Sequence, residues 1–500
     1  MKKLLTILFL ACFALNIGAI TISLTVNKAQ KQTITGFGAA CCDGAMCPYG
    51  TDTGPVKLLY GDVSKIGLNI MRMEISPSFK GDENASWSTY NWQGCVPSAL
   101  IVKKRGGIVF GTPWSPPGAY KTNGTAAGGN SESQGYQKGK LREDCYEKFF
   151  PWLNSYLAYM LSKGVRVDAV SIQNEPDWWV SYSGCLYEPQ ELVTLVRDNA
   201  HMLDRETYPG VRLISAEPLG FTPNYTDPLM KDTTCRKHID IVAGHLYGHA
   251  PLDFMANAAI LATKYGKEVW MTEHSSTDNI GERLPNWHEQ LLFAEELNEC
   301  MLAGCTGYIY WYMRAHWAFV STGEAKYGAD NRTKNKLLPR AFVMSHFAKH
   351  VTGSTRLTTS RDMTSGSEAE QEYSAYIKGD SIIVMAIDTT KTDKKLRLRL
   401  PYEVKEGVHL LSTGNEKENL CQESPITLDE PGKTVTVEMP ARSLNTYIFT
   451  IYHEEDAIAD VKQTKNSSKD YYDLRGQRHD SRNHLRSGVY IRNGKKVLVR

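Results

Sequence analysis

Between roughly residues 34 and 352 the chain switches hydrophobic period again and again, and nothing else in it limits the fold so sharply. Short apolar or β-branched runs fall at residues 35–40, 68–74, 107–113, 168–174, 211–217, 240–247, 268–273 and 306–312. Several are apolar or aromatic on both faces, Tyr308-Ile309-Tyr310-Trp311-Tyr312 for one, as parallel strands covered by helices must be. The segments between them carry a helical period. In residues 145–162, Phe149, Trp152, Leu153, Tyr156, Leu157 and Met160 fall at i, i+3, i+4 spacing, and residues 189–203 and 287–302 behave alike. Eight such alternations predict an α/β fold, a (β/α)8 TIM barrel over residues 34–352. No dinucleotide fingerprint or phosphate-cradling loop interrupts the pattern.

Beyond residue 352 the helical period stops. Alternating stretches at 372–377, 381–388, 395–400, 434–438 and 445–451, separated by turn residues, predict a side β-sandwich over 353–452. An extra strand at 20–33 has no helix partner at the start of the barrel and is expected to complete that sandwich. Residues 1–19 combine Met1-Lys2-Lys3, an apolar run to Leu15 and small residues at Gly18-Ala19. They read as a signal peptide, too short for a bilayer span of about 20 residues. Ala11-Cys12 leaves lipidation of Cys12 as an alternative. The mature chain is expected to lack a membrane span and to be secreted, periplasmic or held at the cell surface as a monomer.

Residues 453–500 read as a polar linker followed by a small β tail. This tail resembles the C-terminal sorting domains of proteins exported by Bacteroidetes-type bacteria. Residues 461–500 hold 11 Lys+Arg and 3 Asp+Glu, so the remaining 460 residues carry 46 basic against 52 acidic groups. A main body at −6 has no electrostatic footing on nucleic acid. Cys41-Cys42-x4-Cys47 and Cys300-x4-Cys305 lack zinc spacing, so buried thiols or a few disulfides are expected, with neither metal nor cofactor.

Barrels of this type do their chemistry where the strands end. The fourth strand ends Gln173-Asn174-Glu175-Pro176 and the seventh ends Met271-Thr272-Glu273-His274. Those strands face each other across the mouth, so Glu175 and Glu273 are expected to meet. Opposed carboxylates are what cleavage of a glycosidic bond needs: one protonates the departing oxygen, the other attacks or stabilises the anomeric carbon. With Thr112-Pro-Trp-Ser-Pro-Pro-Gly118, Lys121-Thr-Asn123, Gly36-Phe37-Gly38, His245-Leu-Tyr247-Gly248 and Trp311-Tyr312, the chain resembles glycoside hydrolase family 30 over about residues 22–451.

The resemblance implies a retaining mechanism, Glu175 as general acid/base and Glu273 as nucleophile. It also implies that Arg72 stands beside Glu273, Asn174 bonds the sugar 2-hydroxyl and Tyr247 bonds Glu273. His245 either lines the pocket or is structural, and Trp114 and Trp311 offer apolar faces to sugar rings. The nearest branch is the endo-xylanase and glucuronoxylanase one, where two consecutive arginines after the last strand and an aromatic after the nucleophile clamp a glucuronate. Here the chain reads Arg314-Ala315-His316-Trp317 and Ser275. The expectation is therefore an endo-β-1,4-xylanase with weak or no glucuronate requirement, with Arg314 and Trp317 near the substrate. A β-1,6-glucanase or glucosylceramidase is the alternative within the family. A non-catalytic glycan-binding protein is the alternative of another class.

Overall fold

A computed structural model describes residues 20–42, 53–78, 91–129, 139–275, 287–315, 318–325, 332, 334–362, 371–414, 421–453, 470–474, 476–479, 485, 488–492 and 495–499. After β1 (Ile20–Thr33), eight strands pair in parallel and close into a barrel in chain order: β2 (Gly36–Cys41), β3 (Ile70–Ile75), β4 (Ile108–Pro113), β5 (Ala169–Ser171), β6 (Arg212–Ile214), β7 (Ile241–His245), β8 (Glu268–Glu273) and β9 (Gly307–Tyr310). Helices α1 (Gly54–Leu59), α2 (Val96–Lys104), α3 (Tyr146–Ser162), α4 (Pro189–Asn199), α5 (Pro223–Lys231), α6 (Cys235–His238), α7 (Pro251–Lys264), α8 (Trp287–Ala303) and α9 (Pro339–Val351) run between and after the strands.

Six of the eight strands fall within the runs predicted for them, β2 and β3 each run one residue past, to Cys41 and Ile75, and β5 and β6 are short. Past Ser171 and Ile214 the chain leaves the ladder, and a single bridge between Asn174 and Glu217 continues it. The barrel is filled rather than hollow: Ile70, Phe110, Ile214, Ile241, Trp270 and Ile309 pack inside it. A second apolar layer, to which α3 gives Phe149, Leu153, Tyr156 and Met160, seals strands to helices. Each such side chain contributes about 1.5–3 kcal/mol by leaving water. Gly38 is a glycine because β2 and β3 approach closely, and a Cβ there would stand 2.0 Å from the Ile70 carbonyl oxygen.

In the side domain the strands form one hydrogen-bonded sheet that closes on itself. Its order is β1, β10 (Thr355–Arg361), β11 (Gln371–Lys378), β12 (Ser381–Asp388), β15 (Ser443–Ile451), β13 (Lys394–Thr413) and β14 (Gln422–Met439), with β1 also pairing with β13. The 20-residue β13 makes this possible. Its first part, Lys394–Arg399, runs parallel to Ile20–Thr25, and its last part pairs with β15 after a register shift between Arg399 and Val404. A second core of Leu24, Tyr373, Val384, Leu398, Tyr447 and Phe449 lies inside it. Strand β10 was not predicted: its sequence TRLTTSR has little apolar alternation because it is only partly buried.

The tail forms a four-stranded sheet of β16 (Tyr471–Tyr472), β17 (Arg478–His479), β18 (Gly488–Arg492) and β19 (Lys495–Val499) around Tyr471, Tyr490 and Val499. The signal region with Cys12 and the linker at 454–469 lie outside the described residues. Nine described cysteines are free thiols, all buried except the half-buried Cys421. Among the described residues no helix is long and apolar enough to cross a membrane.

Candidate active site

The ends of six successive barrel strands converge on one cluster of charge. Arg72, the third residue of β3, is wholly buried at its centre. Its guanidinium donates to Glu273 Oε2 at 2.5 Å, Asn174 Oδ1 at 2.7 Å, Glu217 Oε2 at 3.0 Å and Thr112 Oγ1 at 3.4 Å. Its positive face lies 4.6 Å from the Trp114 ring centroid and 5.8 Å from that of Trp311, a cation–π arrangement in a desolvated site. His245, closing β7, has Nδ1 at 3.0 Å from Glu175 Oε1 and Nε2 at 3.4 Å from Glu217 Oε2. Tyr247 donates to Glu273 Oε1 at 3.3 Å. One carboxylate oxygen from each of Glu175 and Glu273 and a ring nitrogen of His245 all lie within 4.8 Å of one another.

These neighbours set the charges. Burial opposes a charge on His245, yet Glu273, Glu175 and Glu217 outweigh it and raise the imidazole to about 9. Arg72 is likewise raised against its burial by Glu217 and Glu273. Glu217, despite its own burial, is held down to about 2 by Arg72 and His245. Glu273 is pushed up by burial and by Glu175, while His245 and Arg72 pull it back. The net effect on Glu273 is upward, so Arg72 and His245 offset its burial only in part, whereas they hold Glu217 ionised.

The structure brings together Arg72, Trp114, Asn174, Glu175, His245, Tyr247 and Glu273, and stacks Trp311 on Trp114 at 5.9 Å. His245, wholly buried, contacts both Glu175 and Glu217. Arg314 is half-buried on the loop after β9, and Trp317 and His316 lie outside the described residues. Ser275 is buried next to the Tyr247 hydroxyl. Sequence reasoning passed over Glu217, Thr112 and Tyr182. Glu217 was within reach, since it closes the predicted run 211–217 as a third acidic residue at a strand end. Tyr182 sits in a loop with no period to mark it, yet its ring joins Trp114 and Trp311 at the pocket wall.

A filled (β/α)8 barrel with two glutamates facing each other across its fourth and seventh strand ends defines a glycoside hydrolase. Residues 147–302 match the family model described as glycosyl hydrolase catalytic core. Glucuronoxylanase XynC of Bacillus subtilis (strain 168) is 27% identical over 432 residues, covering 85% of this chain and 91% of that protein. The glycoside hydrolase family 30 subfamily 8 xylanase Xyn30A of Clostridium acetobutylicum superposes with a TM-score of 0.68 at 27% identity, covering 86% of this chain and 99% of that one. An endo-1,6-beta-D-glucanase of Neurospora crassa is 24% identical over 279 residues, 51% of this chain and 56% of that protein. Over most of its length the chain is thus similar to xylanases of glycoside hydrolase family 30.

Proposed function

We propose that the protein is an exported retaining endo-β-1,4-xylanase with weak or no need for a glucuronate branch. The observation that carries the mechanism is the proximity of Glu175 and Glu273. Carboxylate oxygens within 4.8 Å leave no room for a water between the pair and sugar, as inversion needs, but suit direct attack by one carboxylate. Arg72 at 2.5 Å and the protonated His245 favour the ionised form of Glu273, which attacks the anomeric carbon to give a covalent glycosyl-enzyme. Glu175, on the opposite strand end, gives its proton to the leaving oxygen. It then takes one from the water that releases the sugar, so the two inversions restore the starting configuration.

The xylan reading is supported by the likeness to a glucuronoxylanase and a family 30 xylanase over most of the chain. Freedom from the branch rests on two departures, Ala315 and Ser275. Alanine cannot make a bidentate bond to a carboxylate, and Ser275 stands against Tyr247 rather than offering an aromatic. Export rests on residues 1–19 and is tested by the N-terminus of protein recovered from culture medium. The deciding experiment is digestion of matched linear and glucuronate-bearing xylans, with β-1,6-glucan and a lipid glucoside alongside and Glu273→Gln as control. Cleavage of both xylans at similar rates is expected. A strict need for the branch overturns the specificity and points to Arg314. Release from β-1,6-glucan alone overturns the substrate, and release from nothing leaves a binding protein.

A further inference from the structure

Lysine is almost never fully buried unless its ammonium is satisfied, and Lys121 is 1% exposed. Its Nζ donates to the carbonyl oxygens of Ala126 at 2.9 Å, Ala127 at 2.7 Å and Gly184 at 2.5 Å. The first two belong to the loop after β4 and the third to the loop after β5. The same loops are zipped by backbone: Ala127 bridges Ser183, the Gly128 amide donates to the Tyr182 carbonyl at 2.7 Å, and the Gly184 amide donates to the Ala126 carbonyl at 3.1 Å. An ammonium has three donors and no directional fork, so it can serve three carbonyls that converge from two loops.

That patch delivers Tyr182 to the pocket. Its ring packs with Trp114 and Trp311 against Ala40 and Cys42. Burial, helped by the charges on Glu175 and Glu273, pushes its hydroxyl up, so the phenol lies within electrostatic reach of both carboxylates. The other side of the loop after β4 is held too, since Gln173 Nε2 donates to the Trp114 carbonyl at 2.7 Å.

We propose that Lys121 is a positioning residue: its ammonium acts as an internal cation that locks the loop after β5 to the loop after β4 and so sets Tyr182 against the sugar between Glu175 and Glu273. This rests on the glycosidase reading of that site. A double-mutant cycle tests it, because a lysine that acts through Tyr182 has nothing left to do once that ring is gone. With a xylan oligosaccharide, Lys121→Met is expected to lower kcat/KM about tenfold or more in the wild-type background. In a Tyr182→Ala background it should cost little further. In the same variant, hydrogen exchange at the Gly128 and Gly184 amides should quicken while exchange in the barrel strands stays as it was.

Equal losses in both backgrounds, or unchanged exchange at those amides, overturn the proposal. Should Lys121→Met fail to fold, the cycle is run with Lys121→Arg, whose planar head cannot seat three carbonyls on one nitrogen, and the same outcomes decide. A wild type inactive on every glycan refutes the enzymatic reading instead, and the exchange measurement still reports whether the lock exists.

Discussion

Glu175 sits at a φ of 45°, in the left-handed region that costs a non-glycine residue about 1 kcal/mol or more. Its amide bonded to the Glu217 carbonyl at 2.8 Å and its carbonyl to the Trp178 amide at 3.1 Å hold it there, which turns the carboxyl into the barrel mouth. If Glu175 is the acid, Glu175→Ala should lower xylan turnover by about 10²–10⁴. Added azide should restore it, giving a glycosyl azide of retained configuration detectable by NMR. Lack of rescue, or an azide of inverted configuration, speaks against the assignment. Glu217 makes a second prediction. Its charge helps raise His245 to about 9, so Glu217→Gln should lower that value and shift the alkaline limb of the pH–rate profile to lower pH. A raised histidine stabilises the fold fully below its ordinary 6.5, and that contribution fades as pH rises through about 9. The variant should therefore lose melting temperature most at pH below 6.5, and an unmoved limb would remove Glu217 from the electrostatic account.

Among elements, the barrel strands were the easiest to read from sequence, because burial on both faces leaves unbroken apolar runs that surface strands do not have. The same burial made their ends legible, since Asn174, Glu175 and Glu273 interrupt otherwise apolar stretches. What could not be read were contacts that depend on loops. Tyr182 and Lys121 come together through a two-loop patch whose residues share no period, and β10 is too polar and too exposed to stand out. Phe110 in β4 packs edge-on against Trp270 at 5.5 Å inside the barrel, with neither ring reached by solvent. Phe110→Ala should cost about 3–5 kcal/mol in a denaturant melt, since the surrounding strands can close little of the cavity. A loss under 1 kcal/mol would mean that the barrel interior collapses freely.

At the scale of the whole molecule, the barrel and the side sheet meet along two titratable seams. On one, α8 presents Glu295 and Glu299 towards Glu372 of β11, which accepts from Asn298 Nδ2 at 3.0 Å. Burial, then the neighbouring carboxylates, raise Glu295 and Glu372 to about 7. On the other, His346 of α9 bonds Thr446 at 2.7 Å and Ser412 at 2.8 Å, and burial lowers it to about 3. The signs oppose each other. Raised carboxyls stabilise fully below their ordinary 4.5 and lose that as pH rises through about 7. A lowered histidine stabilises fully above 6.5 and loses that as pH falls towards about 3. The melting temperature should therefore peak between pH 4.5 and 6.5. Glu372→Gln should flatten the alkaline side alone, and a symmetrical change would sink this account.

The closure of the side sheet through β1 and β13 has a consequence for how the chain is made. Ile20–Thr25 finds its parallel neighbour, Lys394–Arg399, only after more than three hundred and fifty intervening residues have been synthesised. The first described strand must therefore wait, unpaired and half apolar, while the rest emerges. Trimming either extremity of that ring would open the same edge, whereas a tether joining Ile20 to Tyr452, with new termini cut elsewhere, would shorten the wait.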